Sequence, residues 1–96
     1  MKRPMLFVIA YDVVSDRRRD RLHGLLVQFG LPVQKSVFEA RLTPSERERL
    51  LARAARIIDS ETDQLALYPI GASHEERIRT VGLSRDDVPV ETSFVV

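Results

Sequence analysis

Phe7-Val8-Ile9-Ala10-Tyr11-Asp12, followed closely by Asp16-Arg17-Arg18-Arg19-Asp20-Arg21, decides how this chain is read. Residues 5–11 form a nearly continuous apolar run that is β-rich and too short for a good helix. Such a run predicts a strand buried on both faces. It ends in a single carboxylate, Asp12, and a cluster of guanidinium groups opens the next helix. A carboxylate at a strand end suits a hard cation, and arginines beside it suit phosphates.

Working outward, Ser15 or Asp16 caps the first helix. Leu22, Leu25, Leu26 and Phe29 recur at helical spacing as its buried stripe, and Gly30 and Pro32 end it. Residues 33–42 alternate: Val33, Lys35, Val37, Glu39 and Arg41 point one way, Gln34, Ser36, Phe38, Ala40 and Leu42 the other. The stretch holds no Gly, Pro, Asn or Asp to turn it, so either a bulge near Lys35-Ser36 divides it or the strand pair is very short. Thr43-Pro44-Ser45-Glu46 is a capping box with proline at the first helical position. Leu50, Leu51, Ala54, Ile57 and Ile58 supply the apolar face of that second helix. Residues 59–63 form a polar turn, 65–70 a strand, 71–77 a loop or short turn of helix, and 90–96 a closing apolar strand. The order predicts an α+β, ferredoxin-like βαββαβ sandwich with one extra C-terminal strand. It is a single domain over residues 1–96, with a core to about residue 80 and a C-terminal strand segment over 81–96.

Ninety-six residues make one small domain, for which burial at a subunit interface adds useful stability. A net charge of +1 argues against a uniformly basic nucleic-acid coat and for a local basic patch. The absence of cysteine excludes disulfides, thiolate metal sites and cysteine nucleophiles. No signal-peptide pattern and no apolar run near the ~20 residues needed to cross a bilayer occur, so no membrane partner is expected and the expected location is cytoplasmic.

The residues that bear chemistry leave alternatives open. Asp12 suits magnesium, which often takes only one or two protein carboxylates, and a two-fold axis would supply a second copy. Equally, Asp12 suits a turn cap or an arginine partner. Arginine in the first turn of a helix is unfavourable by about 0.3–1 kcal/mol per charge, so Arg17, Arg18, Arg19 and Arg21 imply external phosphates or offsetting carboxylates such as Asp16 and Asp20. Lys35 extends the basic set, Tyr11 reads as core or as a stacking surface, and Ser36 and Glu39 as polar groups of a cleft or a sheet edge. His23, off the apolar stripe, reads as a solvated surface residue, and Arg47, Arg49, Arg53 and Arg56 as the wet face of the second helix.

Taken together, Tyr11-Asp12, the arginine-rich helix start, Gly30-Leu31, Gln34-Lys35-Ser36-Val37-Phe38-Glu39, Leu67-Tyr68-Pro69-Ile70 and Val81-Gly82 strongly resemble the CRISPR-associated protein 2 family. The resemblance implies a homodimer whose C-terminal strand extends the neighbouring sheet. It also implies a part in inserting spacer DNA into the CRISPR array beside the integrase subunit. Some members are endonucleases on single-stranded RNA or duplex DNA. For them the resemblance makes Asp12 the catalytic ligand of magnesium, or of manganese in its place, one from each protomer. Arg19 and Arg21 match the helix arginines and Phe38 the aromatic; with Tyr11 and Ser36, Phe38 shapes the cleft. Where many members carry an arginine ahead of the Gln-x-Ser-Val-Phe motif, this chain has Pro32-Val33. Two readings follow, a metal-dependent nuclease and a non-catalytic duplex-binding adaptor that bridges integrase dimers.

Overall fold

The structure, a computed structural model, describes residues 3–75, 77 and 79. Along the chain run β1 (Met5–Asp12), α1 (Asp16–Leu26), β2 (Leu31–Gln34), β3 (Val37–Leu42), α2 (Pro44–Ala55), β4 (Gln64–Ile70) and the short α3 (Ala72–Glu75). The four strands form one antiparallel sheet in the order β2-β3-β1-β4, the arrangement of a ferredoxin-like sandwich. The expected strand over 90–96, and the 81–96 segment that holds it, lie outside the described residues.

β1 is central, with Ile9 opposite Phe38 on one side and Leu67 on the other. Phe7, Ile9 and Tyr11 face the helices and join Leu22, Leu25, Leu26, Phe38, Ala40, Leu42, Leu50 and Ala54 in the core. Each large apolar side chain fully buried there stabilises the fold by about 1.5–3 kcal/mol. α1 and α2 lie on this side and neither covers the second face of β1, where among its residues only Leu6 is buried, contrary to the expected burial on both faces. Val8 and Ala10 alternate onto that face and are only half-buried, and Tyr68, paired with Val8, is 55% exposed. The β1 run is apolar on both sides, yet among the described residues the two long helices layer only one.

Residues 33–42 are divided at Lys35-Ser36, as expected, into two short strands. β2 ends at Gln34, β3 starts at Val37, and the register slips between Pro32 and Gln34. Ser36 adopts φ 63°, a left-handed conformation that costs a non-glycine residue about 1–2 kcal/mol. Its carbonyl accepts the Tyr11 amide at 3.1 Å, which ties the turn to the end of β1. Both edge strands contain a proline, Pro32 in β2 and Pro69 in β4.

α1 is capped by Ser15, whose hydroxyl accepts the Arg18 amide at 3.2 Å. α2 starts in the expected capping box: Glu46 N–H donates to the Thr43 hydroxyl, and Thr43 N–H donates to Glu46 Oε1 at 2.8 Å. Its apolar face is narrower than expected. Leu50 and Ala54 are buried, Ile57 and Ile58 pack beyond the helix end, but Leu51 is turned to solvent one residue round the helix. Behind β4, α3 is fastened to β3 by Arg41, which donates to both carboxylate oxygens of Glu75.

Gly30 allows α1 to hand over to β2 against β3. A Cβ there would stand 2.2 Å from the Glu39 carbonyl oxygen and 2.7 Å from the Ala40 Cβ. Backbone cannot yield as a flexible side chain does, so Gly30→Ala should destabilise the fold by about 1–3 kcal/mol, as overpacking does. Urea unfolding checks this; a midpoint equal to wild type would mean the chain passes β3 less closely.

Candidate nucleic-acid interface and metal-ligand position

The connection from β1 to α1 is organised by a carboxylate far along the chain. The Asp63 side chain is fully buried in the turn before β4. Its oxygens accept Arg18 Nε at 2.8 Å, Arg18 Nη2 at 3.2 Å, the Val14 amide at 3.1 Å, the Asp59 amide at 2.8 Å and the Thr62 hydroxyl at 3.1 Å. These donors, led by the Arg18 fork, hold the carboxyl far below its ordinary range. Arg18 therefore differs from the sequence reading: its guanidinium faces Asp63 rather than an outside phosphate.

Arg19 is held beside the strand end. It pairs with Asp16 and donates from Nη2 to the Val13 carbonyl at 2.9 Å. With Tyr11, Asp20, His23, Lys35 and Ser36 it lines a cleft of about 340 Å³ on the helix side of the sheet. Phe38, expected to shape the cleft, does not line it: it is fully buried in the core, 6.3 Å from the Tyr11 ring and edge-on to His23 at 5.3 Å. Burial pushes the Tyr11 phenol up, with the Ser36 hydroxyl and Arg19 pulling against it.

Asp12 is not in that cleft. Successive side chains of a strand point to opposite faces, so the carboxylate next to Tyr11 belongs to the uncovered face with Val8 and Ala10. It is exposed, opposite Gln64, and among the described residues its side chain has no hydrogen bond or ion pair. Neither a turn cap nor an arginine partner is realised there. No group of three or more His, Cys, Asp or Glu that could hold a metal occurs among the described residues. A lone, unengaged carboxylate still suits a hard cation that keeps most of its waters. Arg17 and Lys35 are exposed and without a hydrogen bond or ion pair among the described residues. Arg21 turns toward α2.

Two functional positions escape the sequence reading. His23 is half-buried in the cleft, not solvated; the i, i+4 step from Arg19 puts both on one face of α1, a signal the apolar stripe masked. The tie that Asp63 makes to the start of α1 carried no local signal, since Arg18 and Val14 lie 45 and 49 residues away. Among the described residues no helix is long and apolar enough to cross a membrane.

The family described as "CRISPR associated protein Cas2" matches residues 5–78. A CRISPR-associated endoribonuclease Cas2 of Thermus thermophilus is 42% identical over 90 residues, 91% of this chain and 96% of that one. A CRISPR-associated endoribonuclease Cas2 of Synechocystis is 46% identical over 65 residues, 68% of this chain and 71% of its own. The crystal structure of Streptococcus pyogenes Cas2 superposes with a TM-score of 0.73 at 34% identity, covering 81% of this chain and all of that one.

The cleft predicts a two-step loss of stability with acid. Burial lowers the His23 pKa from its usual 6.5, against a weaker opposing pull from Asp20. The unfolded chain then takes up that proton first, so this contribution is complete above about pH 6.5 and declines below it. Asp63, whose carboxyl is depressed, contributes fully above its ordinary 3.8 and loses that contribution only at lower pH. Thermal midpoints measured from pH 7.5 to 3 should fall in both windows, and His23→Gln should remove the upper step alone. An upper step that persists in the variant would assign it to another group.

Proposed function

The chain belongs to the Cas2 family of CRISPR-associated proteins, and from that premise we propose that it acts as a homodimeric, magnesium-dependent endonuclease of CRISPR adaptation. The observation that carries this reading is Asp12, an exposed carboxylate with no protein partner among the described residues, at the end of the central strand. It lies on the sheet face opposite α1 and α2. A second copy against that face would bury Val8, Ala10 and Tyr68 and bring a second Asp12 near the first. The relatives named endoribonucleases make RNA the first substrate to try, with duplex DNA the second.

Asp12 of each protomer would hold magnesium, or manganese in its place. When bound, the ion supplies positive charge to phosphate oxygens and lowers the pKa of a water. Arg17 orients the strand at the end of β1, and Arg19 holds phosphate on the helix side of the sheet. Arg19 is already braced by Asp16 and the Val13 carbonyl, so little freedom is lost when phosphate arrives. Lys35 supplies a further exposed charge from the β2–β3 turn. His23, on the helix side of the sheet, is poorly placed to take a proton from a nucleophile at Asp12.

A second reading is favoured by the sparseness of the donor set. One carboxylate per chain and no nearby base suit a protein that supports a nucleic-acid duplex and docks on the integrase subunit without cutting. Asp12→Asn separates the two. Magnesium-dependent cleavage of single-stranded RNA and of duplex DNA should fall to background, while duplex binding persists. Cleavage retained in the purified variant would move the site away from Asp12. Spacer acquisition retained in cells after cleavage is lost would assign the physiological role to the adaptor.

The dimer has its own test. Tyr68→Glu sets a charge on the uncovered face and should shift the protein toward monomer in light scattering. An unchanged dimer mass would place the interface elsewhere.

A further inference from the structure

The arginines of α2, which look like a wet face in the sequence, converge with one from α1. Arg21, Gly24, Leu25 and Gln28 line one wall of a groove of about 480 Å³ between the two helices, and Arg53, Arg56 and Ile57 line the other. No carboxylate lines it. The side chains of Arg21 and Arg56 have no hydrogen bond or ion pair among the described residues, and that of Arg53 meets only neutral partners. The α2 C-terminus accounts for cations at Arg53 and Arg56 through the helix dipole. It does not account for Arg21, well inside α1, being brought to the same groove.

The groove is also prearranged. Arg53 donates to Gln28 Oε1 at 3.4 Å, Gln28 donates to the Gly24 carbonyl at 3.4 Å, and Arg53 lies 5.9 Å above the Phe29 ring. Gly24 is an independent observation. It occupies the middle of α1, where glycine costs helix stability, yet nothing lies within 4 Å of the position a Cβ would take. Internal packing gives no reason for a glycine there. A glycine facing an open groove does allow close approach of an outside group to the helix backbone.

We propose that the groove between α1 and α2, with Arg21, Arg53 and Arg56, is a binding site for the phosphate backbone of a nucleic acid, separate from the Asp12 end of the sheet. Guanidinium forks match phosphate oxygens in geometry as well as charge. Arg17, one turn before Arg21 and exposed, continues the basic track to the start of α1. The site reads no sequence, since arginines on phosphates position a strand without contacting its bases. It rests on the reading that this protein binds nucleic acid, and adds the surface by which it does so away from the metal-ligand position.

The test is the salt dependence of binding to a fluorescein-labelled duplex DNA probe, for wild type, Arg53→Ala/Arg56→Ala and Gly24→Leu. Loss of two phosphate contacts should weaken binding at low salt tenfold or more. It should also make the slope of log K against log salt shallower by about 2, at ~0.9 per contact. Gly24→Leu should keep a thermal midpoint at or above wild type while weakening binding, because the new side chain fills the groove. Wild-type slope and affinity in both variants would overturn the groove while leaving nucleic-acid binding intact. A wild-type protein that does not bind the probe even at low salt would overturn both. Displacement of the probe from wild type by polyglutamate at far lower concentration than by unlabelled duplex would assign the groove to an acidic protein segment and overturn the proposal.

Discussion

A buried carboxylate governs where the chemistry of this chain can occur. Asp63 gathers the Arg18 fork and amides from two separate loops around one pair of oxygens. A buried charge left without such partners would be heavily penalised, so the loop after β1 and the turn before β4 are held to each other. That junction fixes the exit of β1, and with it Asp12 and the first turn of α1. The residues that could meet nucleic acid are therefore set by a group that meets none.

The pleat of β1 then divides functions that adjoin in sequence. Tyr11 goes to the helix side, under Arg19, Lys35 and Ser36, while Asp12 goes to the uncovered side. The basic set is divided again on α1, where four arginines within one and a half turns acquire different roles. Arg18 is structural, Arg19 is braced at the strand end, Arg17 is exposed, and Arg21 faces α2. A cluster in sequence is thus a distribution in space.

What was legible in the sequence follows from the range of the interactions involved. The α1 stripe as far as Leu26, the capping box at Thr43, the β4 strand and the ferredoxin-like order rest on periodicity and local capping and are present, while Phe29 lies past the helix end. The break at Lys35-Ser36 was legible but its turn conformation was not, because Ser36 takes a left-handed conformation usually signalled by glycine or asparagine. The uncovered face of β1 was hidden because an apolar strand does not record which neighbour covers it. His23 was misread because only the tertiary position of Phe38 makes its place on α1 a buried one. Asp63 and the convergence of Arg21 with Arg53 and Arg56 depend on contacts between distant segments, which no local pattern carries.

The prolines of the two outermost strands bear on how copies of this protein meet. Pro32 and Pro69 lack the N–H that a neighbouring strand would need, and a proline is tolerated in an edge strand where that position faces away from the ladder. Each margin of the sheet thus presents an interrupted row of donors. Among the described strands, side-by-side growth into fibrils is opposed at both margins. Among the described residues, both margins of the sheet are thus poor templates for an added strand.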